Sequence, residues 1–131
     1  LTRAAPTDDE RDDVQIGIRL ARAVAGLDLG QTVVLRHGVV LAVEAAEGTD
    51  ETIRRGASCA PGAVVVKAAR PDQDPRFDLP AVGPQTIEAM AASGARVLAV
   101  EAGATLLLDR EECLALADRS DIAILGVRVP A

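Results

Sequence analysis

The sequence predicts a single α/β domain, a mixed β-sheet entered through a leading β-hairpin with helices packed on the sheet. Apolar positions first recur at helical spacing and then give way to short β-branched runs. Those runs alternate with helix-like segments three times behind a hairpin pattern, and they are punctuated by His37-Gly38, Pro61-Gly62 and Gly83-Pro84. At 131 residues the chain suits one core, and 49% hydrophobic residues supply enough apolar surface to offset the entropy of ordering it.

Residues Leu1 to Thr7 read as a linker. Asp8, Asp9 and Glu10 then suit the positive end of a helix dipole. In that first helix Val14, Ile18, Ala21 and Ala25 form one apolar row and Ile16, Leu20, Val24 and Leu27 a second, with Gly26 and Gly30 as its stop. Gln31 to Arg36 and Val39 to Glu44 are expected to form an antiparallel hairpin around His37-Gly38. Thr49 to Cys59 reads as a helix with Thr49 as N-cap and Asp50 and Glu51 in its first turn. Val64 to Val66 is a buried strand ending at Lys67. Arg70 to Pro80, with three prolines and three aspartates, is expected to be an irregular loop in the place where α/β folds put chemistry. Pro84 opens a helix to about Ser93 that Gly94 closes. Val97 to Val100 and Thr105 to Leu108 read as short strands, Asp109 caps a last helix through Asp118, and Ile122 to Val127 is the closing strand.

Composition removes several classes of function. A net charge of -6, a single aromatic residue (Phe77) and no basic cluster leave neither the charge nor the stacking surface for nucleic acid. A nucleotide or sugar phosphate remains possible, because one local cation or metal ion overrides an unfavourable net charge. Cys59 and Cys113 have no metal-type spacing and are expected to be reduced core residues. The apolar runs are too short to span a bilayer, so membrane contact is expected to be peripheral at most. With no signal peptide the expected location is the cytoplasm, and a start at Leu1 suggests a trimmed N-terminus. His37, the sole histidine, sits in a turn, which leaves no Ser–His or Cys–His machinery.

Two segments carry candidate chemistry. Glu47-Gly48-Thr49-Asp50 places a glycine and a hydroxyl at a helix start after a strand, where backbone N–H groups can bind phosphate while Glu47 and Asp50 hold a divalent ion. The same residues equally serve as ordinary caps. The second segment gathers Lys67, Gln73, Asp74, Arg76, Phe77, Asp78 and Pro80. Arg76 can clamp a phosphate, Lys67 can neutralise another oxygen, and Asp74 and Asp78 can ligate a metal or activate water. A solvated surface loop would look the same. Gly83 with Thr86 makes a weaker anion site at the next helix start. Together this set suits metal-assisted phosphoryl transfer rather than acyl transfer.

These segments also carry a resemblance. Asp28-Leu29-Gly30-Gln31, Val43-Glu44-Ala45-Ala46-Glu47-Gly48-Thr49-Asp50, Ile53-Arg54-Arg55, Lys67, Pro71, Gln73-Asp74, Arg76-Phe77-Asp78-Leu79-Pro80, Gly83, Thr86-Ile87 and Val100-Glu101-Ala102-Gly103 resemble the C-terminal domain of the LpxI-type UDP-2,3-diacylglucosamine pyrophosphatases. The resemblance implies magnesium-dependent hydrolysis of UDP-2,3-diacylglucosamine to UMP and lipid X in lipid A biosynthesis. It supports Asp74 first, then Asp78, Asp50 and Lys67, as catalytic residues, with Asp74, Asp50 and Glu47 toward Mg2+. Gly48, Thr49, Gln73, Arg76, Gly83 and Thr86 are expected to bind substrate. Family members carry a further N-terminal domain and hold the lipid between the two. Residues 1–131 are therefore expected to be the C-terminal catalytic domain without its partner domain, and the isolated domain is expected to be inactive. A homodimer is a further expectation. Two other readings stand beside this one: a nucleotide-sugar or phosphate-binding module without turnover, and a dimerisation module using the apolar faces of the first and last helices, for which the Arg70 to Pro80 loop would tolerate alanine.

Overall fold

In the computed structural model residues 2–70 and 80–128 are described. They form α1 (Asp8–Gly26), β1 (Thr32–Arg36), β2 (Val39–Val43), α2 (Thr49–Ala57), β3 (Val64–Lys67), β4 (Ala81–Val82), α3 (Pro84–Ser93), β5 (Val97–Glu101), β6 (Leu106–Leu107), α4 (Arg110–Arg119) and β7 (Ala123–Val127). Five strands make the main sheet in the order β2-β1-β3-β5-β7. The hairpin contributes its antiparallel half, since β1 runs against both β2 and β3, while β3, β5 and β7 are parallel. The mixed α/β architecture and the leading hairpin are as the sequence predicts.

Alternation along the strands sorts the core into two layers. Val33, Leu35, Val64, Val66, Val97 and Ala99 face α1, whereas Val34, Val65 and Leu98 face the side covered by α2, α3 and α4. Because both faces are covered, the central strand β3 is apolar throughout and fully buried until Lys67. Close approach is built in where helices cross the sheet. A Cβ on Gly17 would lie 2.5 Å from Val66 Cγ2, and one on Gly56 would lie 2.8 Å from Val34 Cβ and 2.9 Å from Ala42 Cβ.

A carboxylate joins α1 to the hairpin turn. Asp13, 2% exposed, accepts hydrogen bonds from the backbone N–H groups of His37 and Gly38, both at 2.8 Å, and from Arg36 at 3.1 Å. His37 (φ 51) and Gly38 (φ 75) both take the left-handed conformation that a tight hairpin turn requires.

Several local expectations are corrected. Residues 2–7 are docked rather than a linker: the Thr2 hydroxyl accepts the Ile124 N–H, Arg3 pairs with Asp118, and Thr7 completes a capping box with Glu10. After α1 the left-handed residue is Asp28 (φ 60), and Gly30 is small because a Cβ there would strike the Glu44 carbonyl. Leu27 is 71% exposed, so the second apolar row of α1 stops short of it. Thr49 is not the N-cap of α2; Gly48 is, at φ 87. Asp109 does precede α4, but its side chain makes no capping hydrogen bond. Cys113 is buried as expected, whereas Cys59 lies beyond the end of α2 and is exposed. The strand expected over Thr105 to Leu108 is the two-residue β6, and it pairs in parallel with β4 in a separate ribbon that the sequence did not signal.

Candidate active site

The cleft that collects most of the described candidates lies beyond the carboxyl end of β3, the usual position for chemistry in an open α/β sheet. It encloses about 340 Å³ and is lined by Glu47, Gly48, Thr49, Asp50 and Glu51 at the start of α2, and by Lys67, Ala81 and Thr86. The sheet delivers Lys67 there because it follows three fully buried valines, which leave its side chain nowhere polar to go but the strand end. The extended Gly48 backbone, left-handed in φ, turns the chain from the hairpin into α2 with no side-chain cap. The first-turn N–H groups of α2 consequently have no intrahelical carbonyl and no capping side chain, and the positive end of its dipole faces the cleft.

The Lys67 ammonium donates to the Thr49 hydroxyl at 3.0 Å and to the Ala81 carbonyl at 3.1 Å. Burial pushes its pKa below the ordinary 10.5, while the carboxylates of Glu44 and Asp50 pull it back up. Thr49 in turn donates to Glu44 Oε1 at 3.1 Å, and the Thr32 hydroxyl stands 3.4 Å from it. Thr86, at the start of α3, donates to Asp50 Oδ1 at 2.8 Å and so ties the two helix starts together. Glu47 accepts from Arg55 at 2.6 Å and from Thr52 at 3.0 Å, and the Arg55 hydrogen bond holds its pKa below the usual carboxylate range.

The structure thus brings Glu47, Gly48, Thr49, Asp50, Lys67 and Thr86 into one cleft. Gly83 lies on the adjoining one, of about 530 Å³, whose walls carry Asp50, Glu88, Asp109 and Glu112 and so present a cation-attracting face. Asp74, Asp78, Gln73 and Arg76 lie outside the described residues. Glu44 and Thr32 are site residues to which sequence reasoning gave no role. For Glu44 a signal was present, a carboxylate closing an apolar strand; a threonine opening a strand gives none. Glu44 also walls a neighbouring cleft of about 230 Å³ with Asp28 and Arg70, which pair at 3.0 Å.

For a magnesium ion the donor chemistry fits in kind. Asp50 and Glu47 offer hard carboxylate oxygens beside the start of α2, and Mg2+ is usually held by one or two carboxylates with water and phosphate oxygens completing its shell. Among the described residues no three His, Cys, Asp or Glu side chains gather into an all-protein metal cage.

Comparison with known proteins identifies the family. Residues 1–125 match the family model described as the LpxI C-terminal domain. The chain is also 38% identical, over 136 aligned positions covering 97% of it, to the UDP-2,3-diacylglucosamine pyrophosphatase LpxI of Caulobacter vibrioides. It spans about half of that relative, 49% of its length. The sequence resemblance and both matches lead to one conclusion: the chain belongs to the LpxI family and carries its C-terminal domain.

Proposed function

We propose that the protein carrying this chain hydrolyses the pyrophosphate bond of UDP-2,3-diacylglucosamine, releasing UMP and lipid X in lipid A biosynthesis, with magnesium required. The observation that carries this reading is the pairing of the uncapped α2 start with the buried Lys67 ammonium in one cleft. Backbone N–H groups from Thr49 to Glu51 would hold phosphate oxygens, and Lys67 would neutralise the charge that develops as the bridging bond breaks. Asp50, fixed by Thr86, and Glu47 would hold the metal, which when bound supplies charge neutralisation at the phosphate oxygens. In the reaction a water oxygen bonds to one phosphorus while the bridging oxygen leaves with the other. Asp74 is proposed to take the water proton, Asp78 to serve as a further catalytic carboxylate, and Gln73, Arg76 and Gly83 to contact substrate. The isolated domain is proposed to lack turnover, because the relative is twice its length. The proposed setting is the cytoplasmic face of the inner membrane, approached peripherally; no helix among the described residues is long and apolar enough to cross a bilayer.

The test is UMP release from UDP-2,3-diacylglucosamine by the full-length protein, with and without magnesium, for wild type, Asp74→Ala and Asp50→Asn. Release by wild type only with magnesium, with loss of roughly a hundredfold or more in Asp74→Ala, is the expected result. A second reading, a nucleotide-sugar-binding module without turnover, draws on the same uncapped α2 start and Lys67 ammonium, which suffice to hold a phosphate without any chemical step. Substrate binding with no UMP release under any metal would select it.

A further inference from the structure

We infer that Glu44 is a positioning residue of the phosphate cleft: by accepting the Thr49 hydroxyl hydrogen bond it fixes Thr49 as an acceptor toward Lys67, and Thr49 then pins the Lys67 ammonium at the cleft floor. This rests on reading the cleft as a phosphate site. A hydroxyl has one proton to give and two lone pairs to receive with. The lysine ammonium can only donate, so at 3.0 Å it must occupy a lone pair of Thr49. The one hydroxyl proton therefore lies in the hydrogen bond that Thr49 donates to Glu44 Oε1 at 3.1 Å. With that proton committed, the Thr32 hydroxyl, 3.4 Å away, can approach Thr49 only as a donor.

The Thr49 hydroxyl thereby has its proton and one lone pair engaged within the fold, and toward a ligand Thr49 turns its backbone N–H at the start of α2. The Lys67 ammonium has three donors, of which the Thr49 hydroxyl and the Ala81 carbonyl engage two. The third is left for a phosphate oxygen. Glu44 itself is held by its place in the fold: its N–H donates to the Thr32 carbonyl at 2.9 Å, and Gly30 packs against its backbone so closely that no Cβ fits. The relay therefore runs from the hairpin through the first residue of α2 to the end of β3, joining three elements at one oxygen.

The experiment uses the full-length protein with Glu44→Gln, Glu44→Ala, Thr49→Ser, Thr49→Val and the double variant Glu44→Ala/Thr49→Val. Two readouts are taken: UMP release from UDP-2,3-diacylglucosamine across pH, and affinity for inorganic pyrophosphate by calorimetry, which needs no turnover. Thr49→Ser keeps the hydroxyl and should stay within about threefold of wild type. Thr49→Val and Glu44→Ala should each lose about tenfold or more, and the double variant no more than the worse single, because residues acting as a unit are not additive. Glu44→Gln keeps an acceptor and removes the charge. It should retain affinity near neutrality while its alkaline limb moves to lower pH, since of the two described carboxylates that favour the ammonium, Glu44 and Asp50, only Asp50 remains.

Glu44→Ala within threefold of wild type in both readouts, or losses that multiply in the double variant, would overturn the proposal. If Glu44→Ala does not fold, the near-isosteric Glu44→Gln and Thr49→Val carry the same test. Wild type that binds pyrophosphate with this pattern of variants but releases no UMP leaves the relay standing and removes the hydrolytic reading. Wild type that neither binds nor hydrolyses removes both.

Discussion

Lys67 holds a single charge at the end of a strand that is otherwise aliphatic, and the fold bears a desolvation cost to keep it there. Replacing it by methionine is expected to leave the thermal midpoint unchanged or raise it, because removing a buried charge for an apolar chain of similar volume is often neutral or stabilising. Pyrophosphate affinity should fall by about tenfold or more in the same protein. Melting curves and calorimetric titration check the two halves, and a large loss of stability without loss of affinity would contradict both. The pH behaviour follows from the direction of the shift. Since the folded pKa lies below 10.5, the folded chain releases this proton before the unfolded chain does. Its burial penalty is fully present below the folded value and is relieved as pH rises through the window up to 10.5. Hydrolysis should accordingly fall off on the alkaline side at a lower pH than an exposed lysine would give, as a rate profile would show. Lys67 was legible in the sequence because a cation closing a run of three valines is conspicuous. Glu44 was less so: its role depends on where the Thr49 proton goes, and spacing does not encode that.

At the level of elements, the helices and the long strands could be read from periodicity because each is dictated by a local pattern. Val14, Ile18, Ala21 and Ala25 are all buried, as their helical spacing of three and four requires. The failures occur where a neighbour in space decides. Thr49 has the composition of an N-cap, but Gly48 supplies the turn and releases the hydroxyl for the Lys67 relay. The pairing of β4 with β6 joins two-residue segments more than twenty residues apart, and no periodicity exists over two residues. Gly56 offers a test of packing against propensity. Alanine favours a helix over glycine by about 1 kcal/mol, yet the new methyl would press on Val34 and Ala42 Cβ atoms that cannot rotate away. Gly56→Ala should therefore cost about 1–3 kcal/mol in urea unfolding, the usual penalty of overpacking, rather than stabilise α2. A gain in stability would show that α2 slides freely over the sheet.

For the whole molecule, the decisive fact is that the sheet finds cover for both faces within its own chain. The 131 residues are expected to unfold alone in one transition, with matching midpoints by far-UV circular dichroism and calorimetry. Those probes are the practical ones, because the sequence holds no tryptophan or tyrosine. Two separated transitions would mean that the hairpin and the parallel half of the sheet are independent. The division of labour is also visible at this scale: fold class follows from bulk pattern, whereas the cleft depends on three elements meeting, of which the sequence marks only the pieces. Asp74 and Asp78, proposed above as catalytic, lie outside the described residues.

The Asp13 carboxylate has a kinetic meaning as well. Amides at the tip of a two-residue hairpin ordinarily trade their hydrogens with solvent within the fastest class, since nothing but water receives them. Here the acceptor for both His37 and Gly38 rides on α1, which is packed against β1 and β3. Exchange at these two positions requires α1 to lift from the sheet, so they should be among the slow amides, with protection close to that of the strand centres, and Asp13→Asn should release them first. A turn at the edge of the molecule would then report, in minutes or hours, how often its largest helix comes undone.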